Sequence, residues 1–254
     1  MSSQTLPAVL VDNQDAIIGL VDTIMALPSD GAHLFLDLEG ISLSRHGTLS
    51  IVTIYIRSSD RAYLVDVHQL GAAAFSACNA DGHSLKSILE SPQLTKVFFD
   101  VRNDSDALFS HYGIALKGIE DVQLMENVLR SPGRRTYVMG LQKTIQYHAP
   151  LTQQQKWQWE RVKDMGVGLF HPSRGGTYEV FNKRPLHPDV EKYCVNDVQY
   201  LPGLRDRFWA RLEKSWMARE KAMVMQETEK RVKESQAVDY EPQSESKRFG
   251  PWGP

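Results

Sequence analysis

The chain has 254 residues, room for one sizeable domain with appendages. A hydrophobic share of 42% excludes a disordered chain, and a net charge of −2 excludes blanket phosphate neutralisation as a source of affinity, so any nucleic-acid contact is local. Two cysteines, Cys78 and Cys194, make neither a disulfide framework nor a metal-binding spacing, which predicts a reducing, intracellular setting, cytoplasmic or nuclear.

Residues 1–31 form a lead-in. The N-terminus has no basic region followed by an apolar stretch, so no signal peptide is expected, and no run approaches the ~20 apolar residues of a membrane span. Residues 9–12 suit an edge strand, a helix runs from Gln14 to Leu27, and Pro-Ser-Asp-Gly at 28–31 is a turn. Residues 34–38, 49–57 and 62–67 read as three strands, the first apolar on both faces like a central strand. A helix over 85–90, a strand over 96–99, a helix over 103–112 stopped by Gly113, a fifth strand near 114–119 and a helix over 122–129 follow. A helix is expected near 139–148, and residues 150–187 look least regular. A long helix starts at Pro188, breaks at Pro202 and resumes to about residue 234. The polar, then Gly/Pro-rich residues 237–254 predict a disordered tail. The sum is an α/β fold: a domain over 32–212, a C-terminal helix over 213–236 and that tail.

Four carboxylates stand out. Asp37 and Glu39 end the presumed central strand, and a period of two points both to one face and Leu38 to the other. Paired carboxylates on a covered face repel each other unless cations neutralise them; the same Asp-x-Glu also fits an exposed acidic turn. Asp104 shares a helical stripe with Leu108 and Tyr112, whereas Asp106 is rotated away from it; helix capping explains Asp104 equally well. Asp197 interrupts the apolar stripe Val190, Tyr193, Cys194 and Leu201, with Tyr193 one turn before it, which fits either a site or a satisfied Tyr–Asp hydrogen bond. Together the four acids suit phosphodiester cleavage, in which two divalent ions ~3.5–4 Å apart bind hard oxygen ligands and activate water.

In order and wording, Asp37-x-Glu39, Asp104 and Tyr193-x-x-x-Asp197 resemble the DEDD superfamily of 3′–5′ exonucleases, in its tyrosine-bearing branch with RNase D and the Werner exonuclease domain. Residues 96–108 (KVFFDVRNDSDAL) and Arg184-Pro-Leu look most like the eukaryotic RNase D-like proteins related to Egalitarian. The histidine-bearing branch has histidine where this chain has Lys192. The resemblance implies a ribonuclease H-like mixed sheet of five to six strands flanked by helices. It implies two divalent cations, Mg2+ or Mn2+, held by Asp37, Glu39, Asp104 and Asp197, with Tyr193 acting on the nucleophilic water. Single-stranded nucleic acid with a free 3′ end, RNA favoured and DNA possible, is the implied partner. Two departures are Phe99 in place of a common histidine and the lack of a following helical accessory domain. A degenerate fold kept as an RNA-binding adaptor is the alternative. Candidate substrate contacts are Gly40 and Ile41 after the first motif, the phosphate-seeking Arg45, Arg102, Lys183 and Arg184, and Asn103 beside Asp104.

Overall fold

The computed structural model describes residues 6–28 and 30–253, so Ser29 of the expected turn and residues 1–5 and 254 lie outside the description. In chain order the elements are β1 (Ala8–Val11), α1 (Gln14–Met25), β2 (Ala32–Glu39), β3 (Ile51–Ile56), β4 (Arg61–Asp66), α2 (Val67–Leu70), α3 (Ala73–Ser76) and α4 (Leu85–Glu90). Then come β5 (Thr95–Phe98), α5 (Arg102–Tyr112), β6 (Ile119–Asp121), α6 (Val122–Val128), α7 (Leu141–His148), α8 (Gln153–Phe170), α9 (Pro188–Val198), α10 (Leu201–Leu212) and α11 (Ala218–Ser235). One six-stranded mixed sheet has the order β1-β4-β3-β2-β5-β6: β2, β3 and β4 are antiparallel neighbours, while β1 joins β4, β5 joins β2 and β6 joins β5 in parallel.

β2 is interior, and its alternation sorts the two faces. Leu34, Leu36 and Leu38 enter the core under α1, α4 and α5, whereas Phe35 faces α6 and α10. On that second face two apolar clusters form: Phe35, Tyr55, Trp159 and Val198 in one, Ile51, Leu64, Phe170 and Cys194 in the other. Asp37 and Glu39, in register with Thr53 and Ile51, follow Phe35 on this side.

Three expectations are corrected. The strand expected near 114–119 is β6, Ile119–Asp121, because Ala115 and Lys117 donate their backbone N–H groups to Glu90 and Leu89 at the end of α4 rather than to the sheet. The region 150–187 is irregular only over 171–187, which holds two short 3₁₀ turns; before that stands the 18-residue α8, whose start is a capping box in which Thr152 and Gln155 satisfy each other's backbone N–H groups.

The tail is not disordered. Residues 237–253 run back across the domain, and what orders them lies far away in sequence. Arg45 donates to the carbonyls of Ser235, Ala237 and Val238. Tyr240 and Lys247 both donate to Asn103 Oδ1, and Phe249 stacks on Tyr137 with ring centroids 5.3 Å apart.

The same arginine is the partner of Asp106. That carboxylate is fully buried and accepts from Arg45 Nε at 2.7 Å and from the Arg45 backbone N–H at 2.8 Å. Asp106→Ala would strand a largely buried guanidinium, and breaking a buried pair costs about 3 kcal/mol. A urea midpoint equal to that of the wild type would contradict this.

Candidate active site

Two elements converge on the second sheet face. Asp37 and Glu39 come from the end of β2, and Asp197 from α9, which packs on β2 and β3. One carboxylate oxygen from each of these three lies within 4.8 Å of the others. α9 begins as its sequence dictates: Pro188 sits in the first turn and the His187 ring accepts from the Asp189 N–H at 3.1 Å. Its i, i+4 spacing then presents Tyr193 and Asp197 to the cluster together.

Asp104, on α5, stands outside that group of three but near enough for the Asp37 charge to raise its carboxyl and for its own charge to raise Glu39. The turn before it is held by a buried polar knot: Asp121 accepts from the N–H groups of Asp100, Val101 and Gln123, and from Arg231 of α11 at 2.8 Å. Asp100 sits at φ 65°, a left-handed conformation stabilised by these bonds and by a two-pronged pair with Arg102 at 2.6 Å. The knot fixes the α5 N-terminus and with it Asp104.

α8 closes the site. Gly166 permits the approach, since a Cβ there would lie 2.3 Å from Tyr193 Cδ2, and Phe170 packs edge-on to the Tyr193 ring. One turn earlier, Lys163 donates to Tyr193 Oη at 2.8 Å and to Asp197 Oδ2 in a short contact. This lysine is the residue that sequence reading missed. The available signals were the Thr152-x-x-Gln155 capping box and the Lys163–Gly166 spacing on the helix it opens.

The charges are costly as they stand. Burial, then the Asp197 charge, push the Asp37 carboxyl up to about 7. Burial, then Asp37 and Asp197, raise Glu39, and burial, then Asp37, raise Asp104. Burial and then Asp197 raise the Tyr193 phenol, so its proton stays on the oxygen. Oδ1 of Asp104 and Oδ1 of Asp197 are buried without a hydrogen-bond partner among the described residues. Such oxygens, in an all-carboxylate donor set, fit hard divalent cations.

The remaining candidates fare unevenly. Gly40 and Ile41 line the turn that leaves the cluster; a Cβ on Gly40 would meet Thr48 O at 2.0 Å, and Ile41 N donates to Thr48 Oγ1. Lys183 is exposed, and its ammonium enters no ion pair among the described residues. Arg45, Arg102 and Arg184 are instead committed to Asp106, Asp100 and Asp66, and Asn103 to the tail, so the structure lends their expected phosphate contacts no support. Trp159 and Phe181 are core residues.

Comparison with known proteins places this geometry among relatives. A family model described as 3′-5′ exonuclease matches residues 14–213. The piRNA biogenesis protein EXD1 of Mus musculus is 35% identical over 179 residues, covering 66% of this chain and 27% of that protein. The chain thus spans little more than a quarter of that curated relative's length. Trypanosoma brucei RNase D in complex with RNA U12 superimposes with a TM-score of 0.72 at 20% identity, over 97% of this chain and 80% of that one. Brucella melitensis NrnC with bound Mg2+ gives 0.60 at 16% identity, over 96% and 100%. At these identities the solved structures establish a shared fold. Among the described residues, no helix is long and apolar enough to cross a membrane.

The raised Asp37 value sets a pH signature. A carboxyl whose folded value lies above its ordinary 3.8 contributes stability that is full below that ordinary value and lost as pH rises through about 7. Burial also pulls Lys96 down to about 7 and Lys247 down to about 8, which act in the opposite sense, so the informative quantity is a difference. In chelator, Asp37→Asn should gain stability relative to the wild type between about pH 4 and 7, at about 2–4 °C of melting temperature per kcal/mol. A difference independent of pH would contradict the charged cage.

Proposed function

The chain belongs to the 3′–5′ exonuclease family, with the mixed α/β fold of RNase D, and on that premise we propose that it hydrolyses single-stranded nucleic acid from the 3′ end in a two-metal reaction of the tyrosine-bearing type. One observation carries the reading: three carboxylates from β2 and α9 converge within 4.8 Å, with buried oxygens of Asp104 and Asp197 lacking partners. In this reading Asp37, Glu39 and Asp197 would hold one divalent ion, Mg2+ or Mn2+, and Asp37 with Asp104 the second. When bound, such ions supply an activated water and stabilise charge on the attacking and leaving oxygens.

The chain's own groups do the rest. Lys163 donates to the phenol oxygen of Tyr193, so the phenol's own proton is directed elsewhere, toward the cage and an attacking water. The phenol stays protonated, which suits it to orienting that water rather than deprotonating it. Gly40 and Ile41 offer backbone and apolar contact to the terminal nucleotide, and Lys183 offers a phosphate contact. RNA is the favoured substrate, on the likeness to an RNase D structure that contains RNA.

The test is degradation of 5′-labelled single-stranded RNA and DNA with Mg2+, Mn2+ or chelator. Expected is a ladder shortening from the 3′ end, abolished by chelator and by Asp37→Ala or Asp197→Ala, with circular substrates intact. Efficient cutting of circles would overturn the directionality. Metal-independent binding without cleavage would favour an RNA-binding adaptor. Tyr193→Phe deletes only the hydroxyl; single-turnover cleavage should slow by ~10²-fold or more with substrate affinity retained. A structural tyrosine would instead lose about 1 kcal/mol of stability and keep its rate.

A further inference from the structure

Lys163 lies on α8, a helix with a long polar face open to solvent, along which a four-carbon stem ordinarily carries its ammonium outward. It turns inward instead, with its side chain 18% exposed. The ammonium sits in a cation site made of the same residues as the acidic cage: the Asp197 carboxylate, the Tyr193 hydroxyl at 2.8 Å and the face of the Tyr193 ring at 4.2 Å. Gly166, one turn on, lets the helix come close enough for that reach. Packing alone does not call for a lysine here, because apolar neighbours such as Phe170 and Cys194 already fill the surroundings; the charge it meets is that of Asp197, Glu39 and Asp37.

We propose that Lys163 is the resident counter-cation of the cage and the positioning residue for the Tyr193 hydroxyl. It neutralises the cage without metal, competes with a divalent ion for Asp197, and occupies the phenol oxygen so that the phenol proton points to the water. The proposal rests on the exonuclease reading above, and it distinguishes this site from a bare carboxylate cage. With an internal cation, metal affinity is held down while the hydroxyl is held in place. A lysine that merely packed α8 on α9 would leave both metal affinity and rate unmoved.

The experiment uses the full chain. Mn2+ binding is measured calorimetrically without nucleic acid for the wild type, Lys163→Met and Lys163→Arg, and single-turnover cleavage is measured at saturating Mn2+. Removing a positive charge in contact with a metal ligand should tighten Mn2+ binding of Lys163→Met at least about tenfold. Its cleavage should be slower by about tenfold or more, since the phenol can now turn its proton to Asp197. Lys163→Arg keeps the charge, so it should bind Mn2+ like the wild type and cleave at an intermediate rate. If Lys163→Met proves too unstable to purify, the arginine variant decides: tighter Mn2+ binding by it would contradict the proposal. Mn2+ binding by Lys163→Met no tighter than wild type, or cleavage at the wild-type rate, would overturn the role of Lys163 alone. A wild-type chain that takes up no Mn2+ would overturn the exonuclease reading and this inference with it.

Discussion

Carboxylates crowded onto one face of a sheet repel each other, and the layout of the site follows from that constraint. Asp37 and Glu39 stand two residues apart on the interior strand β2, and α9 lays Asp197 over them. The polar patch divides what would otherwise be one apolar face into two clusters, with Phe35 and Trp159 on one side and Phe170 and Cys194 on the other. A sequence selected for stability alone would fill that gap with aliphatic side chains. The fold tolerates it because the opposite core, which includes residues from Val11 to Val232, is one continuous apolar cluster.

Positioning is done by polar groups that belong to no motif. Asp121 and Arg231 tie β6, the turn before α5 and the C-terminal helix into one hydrogen-bonded knot, so Asp104 depends on α11, far away in the chain. Asp66 and Arg184 form a second buried pair, between the end of β4 and the segment leading into α9. Arg45 links Asp106 to the returning tail. Each is costly to desolvate and strongly destabilising to break singly, which favours one arrangement of the walls around the cage.

The parts legible in the sequence are those with local periodicity. The strand alternation around Leu38 gave the common face of Asp37 and Glu39, which recurs in the structure, and the helical stripe around Asp197 put it beside Tyr193; the two are joined through Lys163 rather than by the Tyr–Asp hydrogen bond the stripe also allowed. What stayed hidden depends on distant partners. The polar tail reads as disordered because nothing within it says that Arg45, Asn103 and Tyr137 wait for it. Arg45 and Arg184 read as phosphate contacts because their carboxylate partners, Asp106 and Asp66, lie 61 and 118 residues away and leave no local trace. Lys163 was missed for the opposite reason: α8 carries a capping box, yet its scattered tryptophans and polar residues mask the period that would have placed the lysine beside Tyr193.

The central claim is that the convergence of acids is a divalent-cation cage rather than a tolerated cluster of neutralised carboxyls. Anomalous scattering from crystals soaked in Mn2+ tests it most directly. A peak within about 2.2 Å of oxygens from Asp37, Glu39 and Asp197, with the Lys163 ammonium displaced from Asp197, is the result this account requires. Crystals that bind Mn2+ elsewhere, or keep Lys163 on Asp197 with no peak among the acids, would contradict it.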